Sequence, residues 1–281
     1  MKPTVALVAQ GSMGAGVGAR LVERGLRVVT VLEGRSAASA ERAKAAGMIA
    51  VSDQEAARAD YFLSILPPSE ALALAQKMAA LIAPSNHKPV YVDCNAVSPP
   101  TKVEIGRVIA AAGAPFVDAS IIGGPPKAGY DGPAIYAAGG DAARFAPLGE
   151  YGLIIRKLDG PIGGAAAMKM SYAGITKGLT ALGAMMMLAA TRGGCAEGLR
   201  AELERSQPAL FPWLQRSVQA MYGKAYRYVG EMEEIADYVG EDPSAQETFD
   251  AFADFYTRIA TDFDGKQEEV KALAAFLKPK Q

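Results

Sequence analysis

Apolar residues in the first 160 positions come as short runs, separated by stretches in which they recur at helical spacing. The run Thr4-Val5-Ala6-Leu7-Val8 passes without a break into Ala9-Gln10-Gly11-Ser12-Met13-Gly14, and Ala19, Leu21 and Val22 then follow at helical spacing. Strand, tight turn and helix in that order predict the opening of a βαβ unit. Further runs at 27–32, 49–51, 61–66, 90–93, 116–122 and 132–140 read as strands, and 37–47 and 70–82 have helical composition. From Gly163 onward strand signals nearly vanish. Asp242-Pro243 reads as an N-cap with proline at N1, opening a helix in which Phe249, Phe252, Tyr256, Ile259 and Phe263 recur every three or four residues. The expected fold class is α/β: a doubly wound sheet over residues 1–162, then an all-α domain over 163–281.

The first turn gives the sheet a chemistry. Backbone N–H groups at a helix start attract anions, so a dinucleotide pyrophosphate fits on Gln10, Gly11, Ser12, Met13 and Gly14, as in a Rossmann-type domain. Ala9 stands where the pattern G-x-G-x-x-G has its first glycine. About 20 residues on, an acid reads a ribose 2′-hydroxyl and an arginine accommodates a 2′-phosphate. Glu33, Arg35 and Ser36 offer both types, with the arginine and the hydroxyl favouring NADP and NAD left open. Leu66 and Pro67, after the strand at 61–66, are expected to border the same cleft and touch the cofactor.

Composition narrows the partners. The chain has 281 residues, half of them hydrophobic, and a formal net charge of −1, so it can bury a sizeable core but has no basic footprint for nucleic acid or anionic membrane. Cys94 and Cys195 lie far apart with no pairing pattern, and no secretory leader precedes the first strand, so cytoplasm is the expected compartment. The charge-free stretch between Lys177 and Arg192 reads as too short for a bilayer, and as a helix buried between domains or subunits. One histidine, His87, falls in a loop, which leaves no zinc site to assemble and no metal expected. The Ala-, Met- and aromatic-rich helical half predicts a homodimer.

Four ordered motifs resemble the β-hydroxyacid dehydrogenases, the relatives of 6-phosphogluconate and 3-hydroxyisobutyrate dehydrogenase. Gly11-Ser12-Met13-Gly14 is similar to the glycine-methionine-glycine turn, and Asp93 to Pro99 to the substrate loop D-x-S-T-x-S-P. Asp118-Ala119-Ser120-Ile121-Ile122-Gly123-Gly124 is similar to D-A-P-V-S-G-G, and Gly163 to Lys169 to G-x-G-x-x-x-K. The last opens the family's interdomain helix and carries its catalytic lysine. Asn95 and Ala96 replace the serine and threonine of the substrate loop, Ile122 replaces a serine, and Tyr172 and Ala173 stand where asparagines are usual. The second half, around Lys224 to Ala236, is similar to a subgroup known only as phosphogluconate-dehydrogenase-like at its C-terminus.

The resemblance implies hydride transfer between a nicotinamide cofactor and a small hydroxy acid or related alcohol. Lys169 near a helix start, walled by Met168, Met170 and Tyr172, would have its pKa lowered by desolvation and the positive helix end, and would serve as general acid or base. Asn95, Gly123 and Gly124 would donate to a substrate, most simply a carboxylate, with Asn95 also near the cofactor; Tyr172 and Lys177 share a helix face with Lys169 and join the substrate set. Arg227, Glu231 and Glu234 read as ion pairs on a helix surface. An imine reductase on the same scaffold and a non-catalytic dinucleotide sensor are the competing readings.

Overall fold

Successive side chains on a strand point to opposite faces, and β1 (Thr4–Val8) is apolar on both: Val5 and Leu7 enter one layer, Ala6 and Val8 the other. A strand covered on both sides needs no polar alternation, and the N-terminal run has none. The computed structural model describes residues 2–8 and 11–278. After β1 come α1 (Ser12–Glu23), β2 (Arg27–Thr30), α2 (Ala37–Ala45), β3 (Ile49–Ala50), α3 (Asp53–Ala56) and β4 (Tyr61–Ser64). Then follow α4 (Ala71–Ile82), β5 (Val90–Asp93), α5 (Pro99–Ala111), β6 (Phe116–Ile122), β7 (Ala134–Ala138) and β8 (Ile154–Lys157).

These strands form one sheet in the order β3-β2-β1-β4-β5-β6-β7-β8. All neighbouring pairs are parallel except β6 with β7, which run antiparallel with Ser120 opposite Tyr136. A loop without a helix joins those two, and a direct return of this kind places strands antiparallel. The strand at 154–157 is absent from the sequence reading because it carries only two apolar residues before Arg156 and Lys157, and its positions are half-buried or exposed. Chain order reverses between β1 and β4, which makes the C-terminal edge of those strands the switch-point crevice of a doubly wound sheet.

The chain divides into two compact units, Met1–Lys169 and Met170–Gln281. The division falls inside the long helix α6 (Gly164–Arg192), not at 162/163 where the strand signals end. The first turns of α6 belong with the sheet because Asp118 on β6 binds them, as described below. Beyond it lie α7 (Ala196–Ser206), α8 (Leu210–Met221), α9 (Ala225–Tyr238), α10 (Pro243–Asp264) and α11 (Glu268–Leu277). The second unit has its own core, in which Met187, Leu188, Phe211, Leu214, Val218, Tyr256 and Ile259 are buried. Asp242 caps α10, accepting from the N–H groups of Ser244 at 3.0 Å and Ala245 at 3.3 Å, with Pro243 at its first position as expected.

One expectation about α6 needs correction. The charge-free stretch is only part of a helix of 29 residues, which is long and apolar enough to cross a membrane by length and composition. Within the described residues, 44% of its most apolar window is buried inside the fold, with Met187 and Leu188 in the core of the helical unit.

Candidate functional site

Gly11 is the N-cap of α1, with extended backbone (φ −68°, ψ 179°), no side chain capping the helix and no acidic residue in the first turn. No acidic residue of the first turn offsets the positive end of α1, and a Cβ built on Gly11 would meet open space. These features fit a pyrophosphate. Gly11 and Ser12 are exposed, Met13 is half-buried and Gly14 is buried. Gln10 and Ala9 lie outside the described residues. Two glycines that sequence reasoning passed over set the helix's surroundings: a Cβ on Gly18 would overlap Met48, and one on Gly16 would press on Pro126 at 3.0 Å. Arg20, one turn on, donates to the carbonyls of Tyr130 at 3.0 Å and Asp131 at 2.8 Å, and so ties α1 to the β6–β7 loop.

At the end of β2 the chain turns through Leu32 to Arg35, closed by Arg35 N–H donating to the Leu32 carbonyl at 3.1 Å, with Gly34 in the left-handed region at φ +70°. Glu33 points into solvent at this corner, whereas Arg35 is half-buried and its Nη1 lies 3.2 Å from Glu70 Oε2. Ser36 caps α2, its Oγ accepting from Ser39 N–H at 3.3 Å. The three residues expected at the ribose thus sit together at one strand end, with Arg35 already holding a carboxylate.

The ends of β4, β5 and β6 carry a buried polar network. Asn95 is 2% exposed, and its amide donates to Ser64 Oγ at 2.8 Å and Asp93 Oδ2 at 2.7 Å while its oxygen accepts from the Leu66 N–H. Both donor hydrogens are spent inside the fold, so the expected donation from Asn95 to a substrate would break one of these bonds. The Leu66 N–H is likewise committed, and Leu66 is buried while Pro67 is exposed. Lys102, fully buried, donates to the carbonyls of Asp93 at 2.6 Å and Ala119 at 2.9 Å and pairs with Asp93 Oδ1 at 2.5 Å; Asp118 Oδ1 lies 3.6 Å away. A buried ammonium survives only with such partners. Sequence reasoning missed Lys102 because its position looks like any lysine on an amphipathic helix.

Asp118 Oδ2 accepts from Gly163 N–H at 2.8 Å and Ala165 N–H at 2.9 Å, which fastens the start of α6 to β6. Lys169, little more than a turn further along, is half-buried. Its charge reaches Cys94: burial pushes that thiol up to about 12, the positive charges of Lys102 and Lys169 pull it down, and Asp93 and Asp118 push it up. Gly123 and Gly124 are exposed just past β6. Gly123 has φ +126°, and a Cβ there would come within 2.8 Å of Tyr130 Oη and 3.1 Å of Pro133 Cα, so no other residue suits the position.

In the helical unit the expected face separates. Tyr172 is exposed, while Lys177 Nζ pairs with Glu231 Oε2 at 2.5 Å and sits 5.1 Å from the Tyr228 ring centroid. Glu231 accordingly ion-pairs from α9 to Lys177 on α6.

A doubly wound sheet with a glycine turn at the start of its first helix is the architecture of a dinucleotide-binding domain. Residues 4–150 match the NAD binding domain of 6-phosphogluconate dehydrogenase, and residues 190–259 match a domain of unknown function, DUF1932. The chain belongs to the family of the former. A conserved protein of unknown function, MTH1747, described as structurally similar to 3-hydroxyacid dehydrogenases, is 29% identical with a TM-score of 0.75, over 91% of this chain and 99% of that one. The 3-hydroxyisobutyrate dehydrogenase of Mycobacterium tuberculosis, solved with L-serine, is 20% identical with a TM-score of 0.77, over 98% and 99% of the two chains. An imine reductase variant from Myxococcus stipitatus, solved with NAD+, shares the fold at 18% identity and a TM-score of 0.61, over 99% of this chain and all of that one. The fold is that of the NAD(P)-dependent hydroxyacid dehydrogenases.

Proposed function

We propose that this protein is an NAD(P)-dependent oxidoreductase that interconverts a small hydroxy acid, or a related alcohol, with its carbonyl form, Lys169 exchanging the hydroxyl proton. The observation that carries the reading is the anchoring of the helix start that bears Lys169 to β6, through Asp118 Oδ2 on the N–H groups of Gly163 and Ala165, in a chain whose residues 4–150 match an NAD binding domain. The C-terminal edge of the sheet borders the crevice where a doubly wound sheet holds its dinucleotide. Gly11 to Gly14 would hold the pyrophosphate and Arg35 with Ser36 the adenosine ribose; the bound nicotinamide supplies or accepts the hydride. The N–H groups of Gly123 and Gly124 offer anion contacts with no side chain in the way, which suits a carboxylate. NADP is the cofactor favoured, on the Arg35 guanidinium. Two unpaired cysteines accord with a cytoplasmic location.

Turnover of a panel of hydroxy acids and keto acids with each cofactor tests the activity. Lys169→Ala should lower kcat by about 10²- to 10⁴-fold with cofactor affinity unchanged. Unchanged kcat in that variant would remove Lys169 from the chemistry. A lysine donor also serves C=N reduction, so cyclic imines belong in the same panel, and turnover of these alone would favour the imine reductase reading.

The reading includes a homodimer. Between Tyr172 and Ala190 every exposed position of α6 is apolar, namely Tyr172, Ile175, Leu179, Leu182 and Met186. Their alternating spacing of three and four residues is that of a helix seam, and it is symmetric enough about Leu179 to pair with a second antiparallel copy. Sedimentation at micromolar concentration should give a dimer that Leu179→Glu converts to monomer. A wild-type monomer would refute it, and recovery with lipid vesicles would assign the stripe to a membrane instead.

A further inference from the structure

β2 and β4 lie on opposite sides of β1. Arg35 stands on the turn after β2 and Glu70 on the short 3-10 turn Pro68–Glu70 after β4, so their ion pair joins turns separated by two strand spacings, roughly 10 Å, at the C-terminal edge of β1. Resting on the dinucleotide reading above, we propose that Glu70 is a built-in competitor for the cofactor's 2′-phosphate, and that exchange of its carboxylate for that phosphate sets the preference between NADP(H) and NAD(H).

Three observations carry this. Arg35 is placed, by the length of chain between glycine turn and strand end, where a 2′-substituent is read. Its guanidinium is held ready by Glu70 at 3.2 Å, with side-chain exposures of 25% and 49%. Glu33, the nearest acid in sequence, stands exposed at its turn. An ion pair this exposed contributes little and exchanges cheaply. A 2′-phosphate carries more charge than a carboxylate and meets the planar guanidinium with two parallel hydrogen bonds, so it displaces Glu70; a 2′-hydroxyl has no such charge and leaves the pair closed. NADP(H) binding thus frees Glu70 and its turn, and NAD(H) binding does not.

The test is equilibrium binding of NADPH, NADH, 2′,5′-ADP and 5′-AMP to the wild type, Glu70→Gln, Arg35→Ala and the double variant, read by calorimetry without turnover. Glu70→Gln should tighten NADPH and 2′,5′-ADP by about two- to fivefold and leave NADH and 5′-AMP unchanged. Arg35→Ala should weaken the phosphorylated pair of ligands by about tenfold or more, and adding Glu70→Gln to it should bring no recovery. Equal shifts for both ligand classes, or none, would overturn the competitor role while leaving dinucleotide binding intact. Absence of binding by all four ligands to the wild type would overturn the dinucleotide reading itself.

Discussion

The carboxylate of Asp118 holds the backbone of Gly163, 45 residues further along the chain, with Oδ2 accepting its N–H at 2.8 Å. Through Ala165 as well, β6 sets where α6 begins, and so where Lys169 stands. Asp118→Ala should cost about 3–5 kcal/mol, because Lys102 loses one of its two anions and two buried N–H groups lose their acceptor. Asp118→Asn, which keeps one acceptor oxygen, should cost less. Urea unfolding of the two variants checks the order, and equal losses would mean that the charge alone matters.

The side chain of Asn95 makes three bonds inside the fold, to Ser64, Asp93 and Leu66. Asn95→Ala should lower stability by about 1–3 kcal/mol, since each partner left unpaired is buried. A large rise in KM with stability unchanged would return Asn95 to the substrate set.

The two cysteines should differ in reactivity. Cys94 is buried with its thiol pushed up to about 12, while Cys195 is exposed. A thiol reagent at pH 8 should modify one thiol in the native protein and two in denaturant. The raised Cys94 value has a consequence for stability. Above pH ~9 the unfolded thiol ionises and the folded one stays protonated, so the native state binds more protons and this contribution to stability falls, by up to about 1.4 kcal/mol per pH unit, until the folded thiol itself ionises. Replacing Cys94 with Ala should flatten that part of the stability profile between pH 9 and 11, measured by urea unfolding.

Lys177 is engaged by Glu231 and Tyr228 within the helical unit. Its replacement by Ala should cost about 1 kcal/mol in the unfolding of the protein and leave dinucleotide affinity unchanged. A large loss of cofactor or substrate affinity would instead support the role expected from its helix face.

The strands, the helix starts at Ser12 and Pro243, and the change of texture after Gly163 were legible from periodicity and turn chemistry alone, because each depends on residues a few positions apart. The glycine turn was legible for the same reason, as were the positions of Arg35 and Ser36 at the end of β2. Less was visible of β8, whose apolar signal is two residues long, and of Gly16 and Gly18, whose meaning depends on Pro126 and Met48 arriving from elsewhere. The helical spacing of Tyr172 and Lys177 suggested one shared face, but the fold gave Lys177 a partner on α9 and left Tyr172 on an exposed apolar stripe.

By itself, then, the order of residues determined most of the strands and helices, where α1 begins, and that the second half is helical. Tertiary structure alone decided that Asn95 turns inward, that Lys102 lies buried between two aspartates, and that Arg35 meets Glu70 across the edge of β1. The reason is range: periodicity and capping are settled within a few residues, whereas the partner of a charged or amide group depends on which strands become neighbours, and that is fixed only when the sheet closes on its core.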